Sequence, residues 1–251
     1  MSVTIKTARE IEKMREAGRL LEQVHDELEN FIRPGVSTLE IDQLGEKIIR
    51  QMGCIPNFLH YNGYPASICV SVNQEVVHGI PDKHRLIQDG DIVSLDAGLI
   101  HEGYHSDAAR THAVGNISEE AKRLIEVTKQ SFFEGIKLAV PGNHLFDISE
   151  AIQKYVESNG YSVVRDLVGH GIGTHLHEDP QIPNFKQRRK GMKLRPGMTL
   201  AIEPMVNEGS YDVVWLDDDW TVVTEDGSLA AHYENTIVIT EDGCEILTLS
   251  E

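Results

Sequence analysis

Positions 34 and 35 read Pro-Gly, and 107 residues later positions 141 and 142 read Pro-Gly again. Each pair precedes a helix-patterned stretch with apolar positions in register, Leu39 with Phe146 and Ile41 with Ile148. The two stretches stop at Gly53 and Gly160, glycine being a common residue just past a helix end. The offset persists: "GDIVSLD" at 90–96 falls on "GMTLAIE" at 197–203, so Asp96 lands on Glu203. Each match alone is weak, but one shared offset makes coincidence the poorer account. A period this long describes two half-domains, not a solenoid of short repeats.

The rest of the chain fits that reading. Its 251 residues suit one domain of two halves, about 1–115 and 116–251. Between Thr7 and Phe31, Ile11, Met14, Leu21, Val24 and Leu28 recur at helical spacing. Ser37 and Glu40 offer a capping box for the second helix. Short strand-like runs follow, "ICVSV", "DIVSL" and "ARTHAV". A long helix is expected after Ser118, ending before Pro141, then a further helix and the runs "YSVVRDL", "GMTLAIEPMV", "WTVVT" and "NTIVIT".

A net charge of −17 argues against a nucleic-acid binder, since phosphate backbones call for Lys/Arg fields. The basic run "KQRRKGMKLR" reads as a solvated loop. Three cysteines, Cys54, Cys69 and Cys244, never in C-x-x-C spacing, exclude a disulfide framework or a cysteine zinc site as the organising device. The N-terminus lacks the apolar segment of a signal peptide, and no run approaches a membrane span. These features point to a cytoplasmic protein.

The acids are the unusual element. Alternation in "GDIVSLDAG" puts Val93 and Leu95 on one face and Ile92, Ser94 and Asp96 on the other; in "GMTLAIEP", Leu200 and Ile202 oppose Thr199, Ala201 and Glu203. A carboxylate is a poor strand residue and costly to bury unless paired or bound to a metal. For one strand, an acid at a solvated end is the simpler reading. Asp107 changes that, because it follows Asp96 at a distance suited to an antiparallel return, and Glu234 opens an apolar run that could pair beside the Glu203 strand. Four carboxylates meeting at the centre would be balanced by two divalent cations, an arrangement that activates water for hydrolysis. One histidine of "GHGIGTHLHEDP" (169–180) would complete such a site, though spacing does not choose among His170, His175 and His177. The P-loop, the dinucleotide fingerprint and G-x-S-x-G are all absent.

The stretches "PGVSTLEID", "NGYPASICVSVNQEVVHGIP", "DGDIVSLDAG", "GYHSDAARTHAVG", "GHGIGTHLHEDP", "LRPGMTLAIEPM" and "WTVVTEDGSLAAHYENTIVIT" together resemble the type I methionine aminopeptidases. That family has the α+β pita-bread fold, two pseudo-symmetric halves around a curved, mainly antiparallel sheet with helices on the outer face. The resemblance implies a dinuclear metallohydrolase that removes initiator methionine from nascent proteins and peptides with a small second residue. Asp96, Asp107, His170, Glu203 and Glu234 would be the metal ligands, Asp107 and Glu234 bridging two ions. Asp96 would complete one ion; His170 and Glu203 would complete the other. Glu203 would also shuttle the proton of a bridging hydroxide, and His78 and His177 would contact the scissile amide. His175 is expected to be structural or exposed.

By the same resemblance, Phe58, Tyr61, Tyr64, Cys69, Leu176 and Trp220 would line a methionine pocket, although an aromatic cluster also suits a core. Phe58, Leu176 and Asn235 depart from the best-known bacterial members, which favour cysteine, an aromatic and histidine there. One imidazole among four carboxylates suits Mn(II), Fe(II) or Co(II) at least as well as Zn(II). The family implies a monomer, with transient ribosome association possible, and Met1-Ser2 itself carries a small second residue. Proline-specific peptidases share the fold but usually carry an extra N-terminal domain, for which this chain leaves no room. Creatinase-like relatives lack the ligands, and non-catalytic binding relatives would not be expected to keep all five ligand positions with His78 and His177.

Overall fold

A computed structural model describes residues 3–249; the Met1-Ser2 start lies outside the described residues. Helix α1 (Ala8–Phe31) is capped by Thr7 and α2 (Thr38–Gln51) by Ser37, each closed by a capping box with Glu10 or Glu40. Helix α3 (Glu119–Ile136) starts after Ser118, and α4 (Leu145–Ser158) starts after His144. Helices α2 and α4 are both 14 residues long and start 107 residues apart.

The repeat extends to the backbone hydrogen bonds. Gly35 N donates to Ile87 O and Gly142 N to Leu194 O; Thr38 N donates to Arg85 O and Leu145 N to Met192 O. Isolated bridges pair Ser37 with Leu86 and His144 with Lys193. All of these correspond at the same offset. Close packing differs between the two parts: an added Cβ on Gly45 of α2 would meet Ile68 of a strand at 2.6 Å, whereas one on Gly135 of α3 would meet Ile152 of α4 at 2.6 Å.

Nine strands form the central sheet, and every described pairing in it is antiparallel. Strands Ile92–His101 and Tyr104–Ala113 make a hairpin of ten residues a side, longer than the short runs expected. Its turn, Glu102-Gly103, takes positive φ at both residues (47° and 82°), the geometry that matches strand twist. At the middle of the sheet, Glu234–Ile239 pairs with Tyr104–Ala113 on one side and Thr199–Ile202 on the other. Strands from both parts of the repeat thus meet in one ladder.

Two runs differ from expectation. "YSVVRDL" yields only Ser162–Val163 as strand, and "GMTLAIEPMV" breaks into Thr199–Ile202 and Met205–Asn207 in different sheets. Pro204, lacking an N–H, sits at that break and cannot continue a ladder. The core lies between helices and sheet. Leu21, Val24, Ile41 and Ile49 pack on Val93, Leu95 and Leu99, while Leu124, Phe132, Ile148 and Ile152 pack on Leu200, Ile202 and Ile237. Mixed α+β layering around an antiparallel sheet is the class expected. The helices take the apolar faces of the strands, and the face bearing Asp96 and Glu203 is left for other use. The 187–193 part of the basic run is loop and mostly exposed.

Candidate metal centre

Asp96 and Asp107 sit on the two arms of the long hairpin, where Asp96 faces Ala109 and Gly98 faces Asp107 across the ladder. Glu234 opens the central strand opposite Ala109, and Glu203 follows the last residue of the Thr199–Ile202 strand. His170 is the middle residue of a three-residue strand, Gly169–Gly171, and pairs with Ala201. The flanking glycines explain the G-H-G pattern. A Cβ on Gly169 would stand 2.5 Å from Ala201 O, and one on Gly171 would stand 2.2 Å from Asp179 O. Neighbouring backbones press on this strand too closely for any side chain except the histidine between.

All five residues border one cavity of about 250 Å³. Asp107, His170 and Glu234 present ligand atoms within 4.8 Å of one another, and so do Glu203, His232 and Glu234. Asp96 belongs to neither triplet but lines the same cavity and interacts with Asp107. His170 Nε2 lies 3.7 Å from both Asp107 Oδ2 and Glu203 Oε1. Its Nδ1 is 2.9 Å from Gly171 O, so Nδ1–H donates to the carbonyl and the Nε2 lone pair faces the acids.

The electrostatics is adverse for a metal-free centre. Burial first, then Asp96 and Glu203, pushes Asp107 well above the carboxylate range. Burial and Asp96 raise Glu203; burial, Asp107 and Glu203 raise Glu234; burial raises Asp96. Burial, followed by His177, takes His170 down to about 3. Among the described residues, Asp96 Oδ1, Asp107 Oδ1, Glu234 Oε1 and His232 Nε2 are buried without a hydrogen-bond partner. Buried polar atoms are normally satisfied, and unpaired oxygens among like charges are what divalent cations neutralise. The donor set, hard oxygens with imidazole nitrogen, fits Mn(II), Fe(II), Co(II) or Zn(II).

The remaining predicted residues divide clearly. His78, His177, Phe58, Tyr61, Tyr64, Cys69, Leu176 and Trp220 all line the same cavity. Tyr61 Oη is 2.7 Å from His177 Nδ1, and His177 stacks edge-on to His170 with ring centroids 4.2 Å apart. Trp220 meets Tyr64 and His78 edge-on. His78 takes φ +58°, a backbone state uncommon for non-glycine residues and worth noting beside a polar site. His175 is exposed, its ring near Thr174. Asn235 is buried, its Oδ1 accepting from Arg110 Nη2 and Thr248 Oγ1.

Sequence reasoning missed two residues, Asn62, which also lines the cavity, and His232. For His232 a signal existed: it lies two residues before Glu234, the interval that returns a side chain to the same face of an extended chain. A second cavity, about 300 Å³ around Arg110, His112 and Tyr233, contains none of the predicted site residues.

The model of metallopeptidase family M24 matches residues 12–241. A methionine aminopeptidase of Clostridium acetobutylicum is 57% identical, covering 99% of this chain and 100% of the relative. The crystal structure of a Thermotoga maritima methionine aminopeptidase superposes with TM-score 0.97 at 48% identity, covering 99% of this chain and 100% of that one. An Xaa-Pro dipeptidase of Bacillus anthracis, 27% identical, superposes with TM-score 0.80 over 98% of this chain but only 62% of its own. A buried acid-and-imidazole centre, a fold matched from end to end and this degree of identity converge on one assignment: the chain belongs to the methionine aminopeptidases of metallopeptidase family M24, and is a metal-dependent hydrolase.

Proposed function

We propose that this protein removes the N-terminal methionine from nascent proteins and peptides whose second residue is small, at a dinuclear centre. The carrying observation is that four carboxylates and His170 converge on one cavity, with three acid oxygens left unpaired. Asp107 and Glu234 would be shared between two ions, Asp96 would complete one, and His170 with Glu203 the other. The presence of Glu234 in both ligand triplets supports its shared role. When bound, the ions would supply hydroxide near neutral pH and polarise the scissile carbonyl.

The chain's own groups carry the remaining work. Glu203, whose affinity for a proton is raised by burial and by Asp96, is suited to take a proton from the attacking water and return it to the leaving amine. Tyr61 Oη is 2.7 Å from His177 Nδ1; in the tautomer that accepts from this hydroxyl, His177 keeps Nε2–H as the free donor for the amide oxygen as charge develops. Burial and His177 lower His78 to about 4, so its ring is neutral at working pH and serves as a second contact to the amide. Phe58, Tyr64, Cys69, Leu176 and Trp220 enclose an apolar space suited to a flexible thioether side chain.

We read the whole chain as one catalytic unit with halves about 1–115 and 116–251, acting as a cytoplasmic monomer with transient access to the ribosome. Among the described residues, no helix is long and apolar enough to cross a membrane. The test uses metal-stripped protein with Met-Ala-Ser and Pro-containing peptides, adding Mn(II), Co(II) or anaerobic Fe(II), beside a Glu203→Ala variant. Metal-dependent methionine release that the variant lacks supports the proposal. Cleavage confined to Pro-containing peptides, or no cleavage with any metal, refutes it.

A further inference from the structure

Lys6 is an ammonium that the chain buries before its first helix begins. Its side chain is 5% exposed, and its Nζ lies 2.5 Å from Glu178 Oε2, whose own side chain is 11% exposed. Thr4 Oγ1 donates to the same carboxylate oxygen at 2.7 Å, and Lys6 Nζ donates to Thr4 Oγ1 as well. The segment that carries these groups is fixed to the middle of the fold. Lys6 N donates to Gly197 O at 2.8 Å, and Gly197 N donates to Ile239 O at 2.9 Å. Ile239 is the last residue of the central strand.

The other member of the pair, Glu178, stands next to His177. Strands Gly169–Gly171 and Glu178–Ile182 pair through Gly171 and Glu178, so residues 172–177 form the loop that joins them. The Glu178 side chain folds back along that loop, where Oε1 accepts from His175 N at 3.2 Å. The loop backbone rests against the ion pair. A Cβ added to Gly173 would stand 2.4 Å from Lys6 Cε and 2.6 Å from Glu178 Oε1. Gly173 O in turn accepts from His105 N at 2.8 Å.

The His177 ring is held by Tyr61 Oη and by its edge-on contact with His170. Both depend on the loop backbone delivering the ring to that place, and the residue is otherwise exposed. A buried ion pair adds little net stability over apolar residues of the same size, but removing one partner strands the other. Without the ammonium, the Glu178 carboxylate is drawn toward water and takes the support of the loop with it.

We infer that Lys6 is a positioning residue for His177: through Glu178 it fixes the loop that aims the imidazole at the scissile amide. The inference rests on the role of His177 proposed above. It makes the segment before α1 a working part of the site.

The test is a double-mutant cycle on the metal-loaded enzyme with Met-Ala-Ser. Lys6→Met keeps the alkyl stem and removes the ammonium. It is expected to lower kcat about tenfold, with KM within about twofold. In a His177→Ala background the same substitution is expected to change kcat by less than about twofold, because the group it positions is gone. Lys6→Gln, which keeps an N–H toward Glu178, is expected to lose about threefold, again only where His177 is present. It decides the matter if Lys6→Met does not fold. Equal losses in both backgrounds overturn the inference, since a merely structural lysine acts whether or not His177 is there. Unchanged kcat in folded Lys6→Met overturns it too. Both outcomes leave the peptidase reading standing, whereas wild-type protein that releases no methionine overturns both the inference and that reading.

Discussion

Gly171→Ala is a one-methyl change whose consequence can be worked from distances. Gly171 has no positive φ, so its backbone is open to alanine and space is the only issue. The added Cβ would lie 2.2 Å from Asp179 O, against the 3.4 Å at which ordinary contact begins. One of the two strands must therefore retreat by roughly 1.2 Å, the difference of those distances. Overpacking of this kind costs about 1–3 kcal/mol of stability. Gly169–Gly171, only three residues long, is the shorter of the two strands, and when it yields His170, one residue away, moves with it. A displacement near 1 Å in a positioned group can cost about 100-fold in rate, equivalent to about 2.7 kcal/mol of transition-state stabilisation. We therefore expect kcat/KM for Met-Ala-Ser to fall about 100-fold, metal affinity to weaken and the melting temperature to drop. Gly243→Ala is the control, because its Cβ would meet nothing within 4 Å among the described residues, and it should change stability by no more than about 0.5 kcal/mol. Wild-type kcat/KM and metal affinity in Gly171→Ala would refute the claim that the glycines fix the His170 strand.

Two further outcomes follow from charge. Asp96, Asp107, Glu203 and Glu234 all bind protons more tightly in the metal-free fold than in the unfolded chain. Their ionisation therefore costs stability, starting near the unfolded value of about 4 and growing as pH rises toward the folded values. The gap in melting temperature between metal-loaded and metal-stripped protein should widen from pH 5 to pH 8; calorimetry showing a constant gap would contradict this. Glu178 has the opposite sign. Burial opposes its ionisation, but Lys6 Nζ at 2.5 Å and Thr4 Oγ1 at 2.7 Å outweigh it, so the group is lowered overall. Glu178→Gln should cost about 2 kcal/mol at pH 7. That loss should vanish in acid, because the advantage of the ionised pair is full above about pH 4 and disappears as pH falls through the lowered value. Parallel melting curves for variant and wild type down to pH 3 would refute the assignment.

Local pattern and repetition carried much of this protein. The capping boxes at Thr7 and Ser37 and the helix start at Ser118 depend on chemistry within a few residues, and such contacts are written in the chain. The 107-residue offset gave paired architecture because equivalent residues make equivalent hydrogen bonds. Alternation along two strands put Asp96 and Glu203 on the faces opposite Val93, Leu95, Leu200 and Ile202, before any partner was known. Resemblance, not spacing, then distinguished His170 from its two neighbours.

Tertiary structure decided what spacing could not. His170 is buried and His175 exposed because the strand at 169–171 is wedged between backbones whose approach only the folded sheet defines. The split after Ile202 depends on which sheet will accept the chain beyond Pro204. His232 came within reach of Glu203 and Glu234 through a hydrogen bond from Thr111, a contact across 121 residues. A sequence records which groups could bind a cation; the free energy of gathering them depends on distances between segments remote in the chain, and those exist only after the core between helices and sheet has formed.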